Sequence, residues 1–305
     1  MSDIDSNKIE TAQSAEIGIE SLPTTTHGAD VLRRFFKNKI AVVGSVMLLV
    51  IVILCAFAPV FTSYHPIIDM NLGNALQRPG SPGHFLGTDN LGRDIWTRLL
   101  YGGRASVIMG LSVALVSAAV GIVVGLFSGY FGGIIDTILM RLTDIMLSFP
   151  TLIIAIAIMS ALGRSQMNIV ISLAIVSWPG FARLTRGQVL AVNSSEYVES
   201  AKVAGFKHMR VIFLHILPNC MGPLIVQGTL AVGSAILAAA ALSFLGLGAD
   251  AAAPEWGLML SQGRNFLQVA PHLTTIPGVA ISLTVLAVNW IGDGLRDAFD
   301  PRMRK

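Results

Sequence analysis

The residues best placed to do chemistry are concentrated in one charged segment, residues 196–219, which reads EYVESAKVAGFKHMRVIFLHILPN. It holds two glutamates, three Lys or Arg residues and two histidines, and strongly apolar stretches flank it. No two histidines of the chain stand at i, i+4, and none adjoins a cysteine or a carboxylate cluster. We therefore expect no metal site, and a segment that binds another surface rather than one that makes or breaks bonds.

Motifs of the common enzyme sites are missing from the sequence. There is no GxxxxGK[ST] phosphate loop, no HExxH and no GxSxG, and the nearest string, GLFSG at 125–129, has the wrong spacing. The sequence therefore predicts a protein that is not an enzyme, with no bound cofactor and no nucleic-acid partner.

The composition is that of an all-α polytopic membrane protein. Of the 305 residues, 53% are hydrophobic and 13% charged, and the mean hydropathy is +0.68, whereas a soluble domain carries about 25% charged residues. A spanning helix needs about 20 mainly apolar residues. Six stretches qualify, with five or seven as alternatives. They are 40–58, 105–135, 145–163, 165–182, 211–249 and 265–292.

Basic residues orient the predicted bundle. Residues 1–30 are polar and predict a disordered cytoplasmic tail, and four basic residues between 33 and 39 precede an uncleaved transmembrane anchor over 31–62. Six spans place 15 of the 21 Lys and Arg residues inside, including every lysine, and six outside. Both termini are then cytoplasmic, with a short C-terminal tail over 297–305, and the chain is a multi-pass protein of the cytoplasmic (inner) membrane.

The 63–104 segment is predicted to be an external loop that ends in an amphipathic helix. Thr88 or Asp89 is the candidate N-cap, and Arg93 and Asp94 lie on the polar side. Two interpretations stay open. The helix either lies on the outer leaflet, or it takes part in gating or in docking an external partner through Arg93 and Asp94.

A second external helix is predicted between the last two spans. Pro254 can start it, and Glu255 favours its positive N-terminal end. Trp256 and Met259 are expected to face lipid or the mouth of a cavity. Glu255 and Trp256 are therefore further candidates for a gate or an external contact.

Small residues and prolines mark close contacts and kinks within the spans. A stripe of small residues recurs every four positions in the second span and predicts close helix packing. The stripe consists of Ser117, Gly121, Gly125 and Gly129. Pro150 predicts a kink in the third span, and the Pro-Gly pair at 179–180 predicts a break or kink in the fourth. Arg141 and Asp144, at i, i+3, are expected to pair at the inner interface.

Residues 195–218 are predicted to form two short helices joined at Gly205. A serine caps the first helix, Glu199 and Lys202 pair along it, and Gly205 stops it. The Leu-Pro pair at 217–218 then bends the chain into the fifth span. From these features alone, an ordinary amphipathic loop on the membrane surface remains an alternative.

The same segment resembles the "EAA" loop of ATP-binding-cassette (ABC) importer permeases: Glu-Ala-Ala, three residues, Gly, nine residues, Ile, one residue, Leu-Pro. Ser200 and His215 depart from that pattern. Residues 30–305 as a whole are similar to the second (C-type) permease subunit of dipeptide and oligopeptide importers. The matching stretches are LGTDNLGRD (86–94), GYFGG (129–133), MRLTDIMLSFP (140–150), FARLTRGQVL (181–190), PEWGLML (254–260) and GDGLRDAFDP (292–301).

The resemblance implies a type I ABC importer permease (MetI-like) fold with six transmembrane helices, and an ABC transmembrane type-1 domain over 105–296. In such importers the loop is a coupling helix that docks on a cytoplasmic ATPase. Glu199 would then orient or pair with the ATPase surface, Ala201 would permit close contact, and Gly205 would make the turn. Leu217 and Pro218 would tie the motion to the fifth span.

The implied partners are two ABC ATPase subunits, a second homologous permease, an extracytoplasmic substrate-binding protein and the lipid bilayer. Di- or oligopeptides are the implied cargo, and nickel, glutathione or opines are alternatives within the same family. A different class of function is an ion-coupled secondary transporter, but the centres of the six stretches are nearly free of Asp, Glu, Lys and Arg. A membrane scaffold without transport is the other rival.

Overall fold

The computed structural model describes residues 27–65, 69–248 and 253–299. Helices account for the architecture of these residues, which contain isolated β-bridges but no strand, so the all-α prediction is confirmed. The helices are α1 His27–Lys37, α2 Lys39–Ala56, α3 Ala58–Phe61, α4 Ile95–Phe131, α5 Gly133–Leu147, α6 Thr151–Leu162, α7 Gln166–Asn193, α8 Glu196–Val203, α9 His208–Val211, α10 Leu217–Leu242, α11 Trp256–Gly263 and α12 His272–Phe299.

The predicted tails fall mostly outside the described residues. The disorder expected over 1–30 concerns residues that precede α1, apart from the first turn of that helix. At the other end, α12 continues to Phe299, and the rest of the tail predicted at 297–305 lies beyond the described part.

Within the described residues, five helical segments are long and apolar enough to cross a membrane. They are Lys39–Ala56, Ile95–Phe131, Gln166–Asn193, His208–Leu247 and His272–Phe299. The pair α5 and α6 makes a sixth if it is counted as one broken span, because its two limbs together pass the same test. The predicted number of six spans agrees with that count.

The break in the third span lies at Pro150. Helix α5 ends at Leu147, α6 begins at Thr151, and their axes differ by 88°. Proline disfavours helical geometry in the residue before it, here Phe149. The kink predicted at this proline is confirmed, as a near right angle.

Of the break or kink expected at the Pro-Gly pair of the fourth span, a break does not occur. Pro179 lies inside α7, which continues without interruption well past the predicted end at 182. The helix extends to Asn193 because its polar C-terminal half packs against other helices of the chain, with Thr185 and Val189 both buried.

The external loop also differs from the prediction, because its helix and the second span are one element. Helix α4 runs unbroken for 37 residues from Ile95, so the predicted boundary at 104/105 falls inside it and no separate interfacial helix exists there. Its N-cap is Asp94, whose carboxylate accepts a hydrogen bond from the backbone N–H of Thr97 at 2.8 Å. Neither Thr88 nor Asp89 caps it.

The stripe of small residues in α4 packs directly on α7, as predicted. A Cβ placed on Gly125 would lie 2.5 Å from both the Ala182 carbonyl oxygen and the Thr185 Cβ. A Cβ on Gly129 would lie 2.8 Å from the Val189 Cβ. The two helices therefore touch at backbone distance, which only glycine allows.

Candidate functional site

The 195–218 segment forms two short helices joined at Gly205, as predicted. Helix α8 covers Glu196–Val203, Gly205 adopts φ +78°, and α9 starts at His208. The left-handed conformation at Gly205 strongly favours glycine. Ser195 stands at the N-cap position, but its hydroxyl donates backwards to the Val192 carbonyl at 2.6 Å.

The bend expected at 217–218 is replaced by a turn of π-helix. Residues Ile212–Ile216 adopt the wider π geometry, and the helical path then continues from His208 to Leu247. Pro218 occupies the first turn of α10, where its missing N–H costs little. The 195–218 segment is thus joined to the fifth span through a π turn rather than a break.

One face of the 195–218 segment packs on its own bundle. Val198, Ala201 and Val211 are buried in a cluster with Leu126 of α4 and Val189 of α7. Ala201, for which the resemblance implied close contact with an ATPase, is buried within this chain, and its methyl group packs α8 against the spans.

The other face of the segment is open. Glu199, Gly205 and Pro218 are exposed, and Leu217 is half-buried. Apolar side chains are exposed beside them: Val203 by 89%, Met209 by 50% and Phe206 by 38%. The predicted pair between Glu199 and Lys202 is not formed, because the Lys202 Nζ donates to the Asn193 Oδ1 at 2.8 Å.

Two ion pairs tie α5 to the C-terminal half of α7, and sequence reasoning missed both. The Arg186 guanidinium donates to both carboxylate oxygens of Asp136, at 2.5 and 2.6 Å, and the Ser128 hydroxyl also donates to Asp136. Asp144 accepts from Arg183 at 2.7 Å, so the pairing predicted with Arg141 is wrong. Partners about 40 to 50 residues apart give no local spacing signal.

Asp89 and Arg93, which precede α4, and Arg98, in its first turn, are buried together and contact Gln262 of α11; we call these four residues the Asp89 cluster. Asp89 accepts from the Arg93 Nε at 2.7 Å and from the Arg98 Nη1 at 2.6 Å. The Arg98 Nη2 donates to the Gln262 Oε1 on α11 at 2.9 Å. The Arg93 Nη2 lies 3.4 Å from the same Gln262 oxygen, so Arg93 also ties the loop before α4 to α11. Since Arg93 is 1% exposed, it offers no surface to an external partner in this conformation.

The other external candidates also have structural partners. Asp94 caps α4 and lies 3.0 Å from the His84 Nδ1. Glu255 is the N-cap of α11, where its two carboxylate oxygens accept from the N–H groups of Gly257 and Leu258. Burial raises the pKa of Glu255, and the hydrogen bonds that it accepts offset part of that rise.

Trp256 and Met259 lie inside the protein and do not face lipid. Trp256 lines an apolar cavity of about 320 Å³ together with Leu99 and Thr275, as one of the two expectations had it, whereas Met259 does not line that cavity. Both side chains are buried, and the Trp256 Nε1 donates to the Leu99 carbonyl of α4 at 2.9 Å. The ring fits there because Gly102 and Gly103 leave room for it. The adjacent glycines were the sequence signal that a large side chain packs against α4 here, and sequence reasoning missed it.

The geometry defines a polytopic helical membrane protein. The 195–218 segment, with one exposed face, lies at one end of the bundle, and the Asp89 cluster lies at the other. Its fold is shared with a chain in the structure described as inward facing conformations of the MetNI methionine ABC transporter. That match has a TM-score of 0.56 and 17% identity, and it covers 68% of this chain and 98% of the other. The predicted MetI-like fold is confirmed.

The chain belongs to the binding-protein-dependent transport system inner membrane component family, which matches residues 121–305. A second family, the N-terminal TM domain of oligopeptide transport permease C, matches residues 26–79. The chain is therefore a multi-pass inner membrane permease, and the resemblance that its motifs indicate is confirmed.

Three curated relatives show how far the similarity extends. The dipeptide transport system permease protein DppC of Alkalihalophilus pseudofirmus is 47% identical over 275 residues, or 90% of each chain. Proteins of the same name from Haemophilus influenzae and Escherichia coli K12 are 44% and 46% identical. They match 89% of this chain and 93% and 92% of their own lengths.

Proposed function

We propose that this chain is one permease subunit of an ATP-driven importer of di- or oligopeptides, and that separate ATPase subunits hydrolyse the nucleotide. The cargo class comes from the relatives, which are dipeptide permeases by name. The observation that carries the mechanism is the open face of the 195–218 segment, where Val203 is 89% exposed next to the left-handed joint at Gly205.

The open face suits docking on an ATPase. Exposed apolar side chains grouped on one surface mark protein contacts, and Val203, Phe206 and Met209 form such a group. Glu199 adds an exposed carboxylate that makes no ion pair within the described residues. Ala201 holds α8 on the bundle, and Leu217 and Pro218 connect the segment to α10.

The remaining partners follow from the same proposal. A second homologous permease completes the path for substrate, and an extracytoplasmic binding protein delivers it to the outer face. In this arrangement both termini and the 195–218 segment are cytoplasmic. These contacts serve a gate at the other face: Trp256 ties α4 to α11, and Arg93 ties the loop before α4 to α11. Glu255 and Asp94 set the starts of α11 and α4.

The energy source separates this proposal from an ion-coupled carrier. In proteoliposomes that contain the complete transporter, uptake is expected to require ATP inside and to survive the collapse of ion gradients. The opposite pattern, uptake that survives ATP depletion and fails without the gradient, would refute the proposal. Competition with di- and tripeptides, glutathione and nickel chelates identifies the cargo.

Variants of the segment test the coupling. Gly205→Pro is expected to abolish ATP-driven uptake in an inserted protein, because proline requires φ near −65° and this position has +78°. Gly80→Pro is the matched control, since it makes the same change at another positive-φ glycine with open space around it. Glu199→Lys is expected to weaken co-purification with the ATPases, and unchanged co-purification would contradict the role given to that carboxylate.

The sidedness of the segment has its own test. A membrane-impermeant amine reagent applied to sealed cells is expected to spare Lys202 and Lys207, which are both exposed in the structure. Labelling of either lysine from outside would place the segment on the wrong face for an ATPase.

A further inference from the structure

A second contact joins the 195–218 segment to the bundle, at the inner end of α4. The Tyr130 hydroxyl lies 2.8 Å from the Nδ1 of His208 on α9, and the two rings meet edge to face at 5.7 Å. The Lys202 Nζ on α8 lies 5.6 Å from the centre of the Tyr130 ring, within cation–π range. Tyr130 therefore contacts both helices that flank Gly205.

A displacement of Tyr130 cannot move α4 by itself, because α4 is packed against α7 at backbone contact distance. Gly129, the residue before Tyr130, faces Val189, and Gly125 faces Ala182 and Thr185. Interiors packed this closely transmit displacement rather than absorb it. A push on Tyr130 consequently moves α4 and α7 as a pair.

The direct chain connection to α10 is built differently. It passes through the π turn at Ile212–Ile216 and then Pro218, which has no backbone N–H to donate. This path departs from the regular α-helical hydrogen-bond ladder at the point where force would enter the span. The side-chain contact at Tyr130 bypasses that stretch.

We propose that Tyr130 is a positioning residue that carries the movement of the 195–218 segment into the α4–α7 pair. The inference rests on the proposed function, since the movement originates in the ATPase. Helix α4 is continuous for 37 residues, about 55 Å at 1.5 Å per residue. At its outer end the Leu99 carbonyl holds Trp256, so one helix links the segment to the external candidate gate.

The test uses the complete transporter in proteoliposomes and measures substrate imported per ATP hydrolysed. Tyr130→Phe removes the hydroxyl and keeps the ring contacts, so this ratio is expected to fall about two- to tenfold. Tyr130→Ala removes both contacts and is expected to lower it by about tenfold or more. Tyr101→Phe is the control, because it removes a hydroxyl at the other end of the same helix, where it donates to the Thr62 carbonyl.

The outcomes separate the two levels of the argument. If the unmodified transporter hydrolyses ATP without uptake, or takes up substrate without ATP, the proposed function fails. If the unmodified transporter couples normally and Tyr130→Ala couples equally well, the inference at Tyr130 is wrong and the proposed function stands. A ratio lowered as much by Tyr101→Phe as by Tyr130→Phe also overturns the inference.

A cross-link keeps the inference testable if Tyr130→Ala does not assemble. The double variant Tyr130→Cys and His208→Cys, with Cys55 and Cys220 replaced by alanine, is joined by a short bifunctional thiol reagent. Because Tyr130→Cys removes the same contacts as Tyr130→Ala, substrate imported per ATP is expected to be low before cross-linking and to recover when the two cysteines are joined. A normal ratio before cross-linking, or no recovery after it, would overturn the inference.

Discussion

Replacing Gly125 by alanine tests whether α4 and α7 form one packed unit. The added Cβ would lie 2.5 Å from the Thr185 Cβ and from the Ala182 carbonyl oxygen, and 2.9 Å from the backbone nitrogen of Arg186. Carbon atoms attract best at about 3.5–4.0 Å, so the helices must part locally by about 1 Å. None of the three obstructing atoms is the far end of a flexible side chain.

The expected change in stability combines a cost of overpacking, a gain in helix propensity and a loss of dispersion attraction. Overpacking of a close interface costs about 1–3 kcal/mol, and exchanging glycine for alanine inside a helix returns up to about 1 kcal/mol. A gap of about 1 Å also forfeits up to about half of the dispersion attraction at the neighbouring contacts of Gly121 and Gly129. We expect a net loss of about 1–2 kcal/mol.

The assay is thermal unfolding of the purified protein in detergent, followed by tryptophan fluorescence. Gly187→Ala is the matched control, because it lies on α7 with no atom within 4 Å of its added Cβ. That variant keeps the propensity gain without the clash and should melt at or above the wild-type temperature. If Gly125→Ala melts no lower than Gly187→Ala, the backbone contact between α4 and α7 is not formed as described.

Three further predictions concern charges and the joint. Asp136→Asn breaks a largely shielded bidentate pair and is expected to lower the stability by about 1–2 kcal/mol after a discount for partial exposure. Asp144→Asn breaks a pair in which both partners are more than half exposed and should lower it by about 0–1 kcal/mol. The melting temperatures of the two variants test this difference. Gly205→Ala should cost about 1–2 kcal/mol through its left-handed backbone alone and lower ATP-coupled uptake, with Gly205→Asn milder. Burial raises the pKa of Glu255 in the folded protein, so protonation of this carboxyl favours the folded state. That stabilisation is fully present below the unfolded pKa of about 4.3 and is lost as the pH rises through the folded pKa. Glu255→Gln lacks that loss, so its melting temperature relative to the wild type should rise as the pH is raised above about 4.3; a constant difference would contradict the assignment.

Local features of the structure were readable from the sequence. The joint at Gly205 was predictable because a positive φ favours glycine wherever it occurs. The packing stripe of α4 was predictable because small residues at four-residue spacing form one continuous face. Pro150 likewise marked the break in the third span through its missing N–H.

Features that depend on distant partners were not readable. Asp144 pairs with Arg183 rather than with its near neighbour Arg141, because the fold brings the inner end of α7 beside α5. The polar start of α4 suggested a separate interfacial helix, but Asp89 neutralises Arg98 inside the protein and the helix continues. Each of these outcomes depends on a residue that lies outside the local window of sequence.

The right-angled break at Pro150 has a consequence for the surrounding lipid. Helix α6 has 12 residues and is about 18 Å long, whereas the hydrocarbon layer of a bilayer is about 30 Å thick. Since α7 and α12 each have 28 residues, the protein presents helices of unequal length to the surrounding lipid. We expect the bilayer to thin beside α6, and acyl chains below average length to accommodate this permease at the least elastic cost.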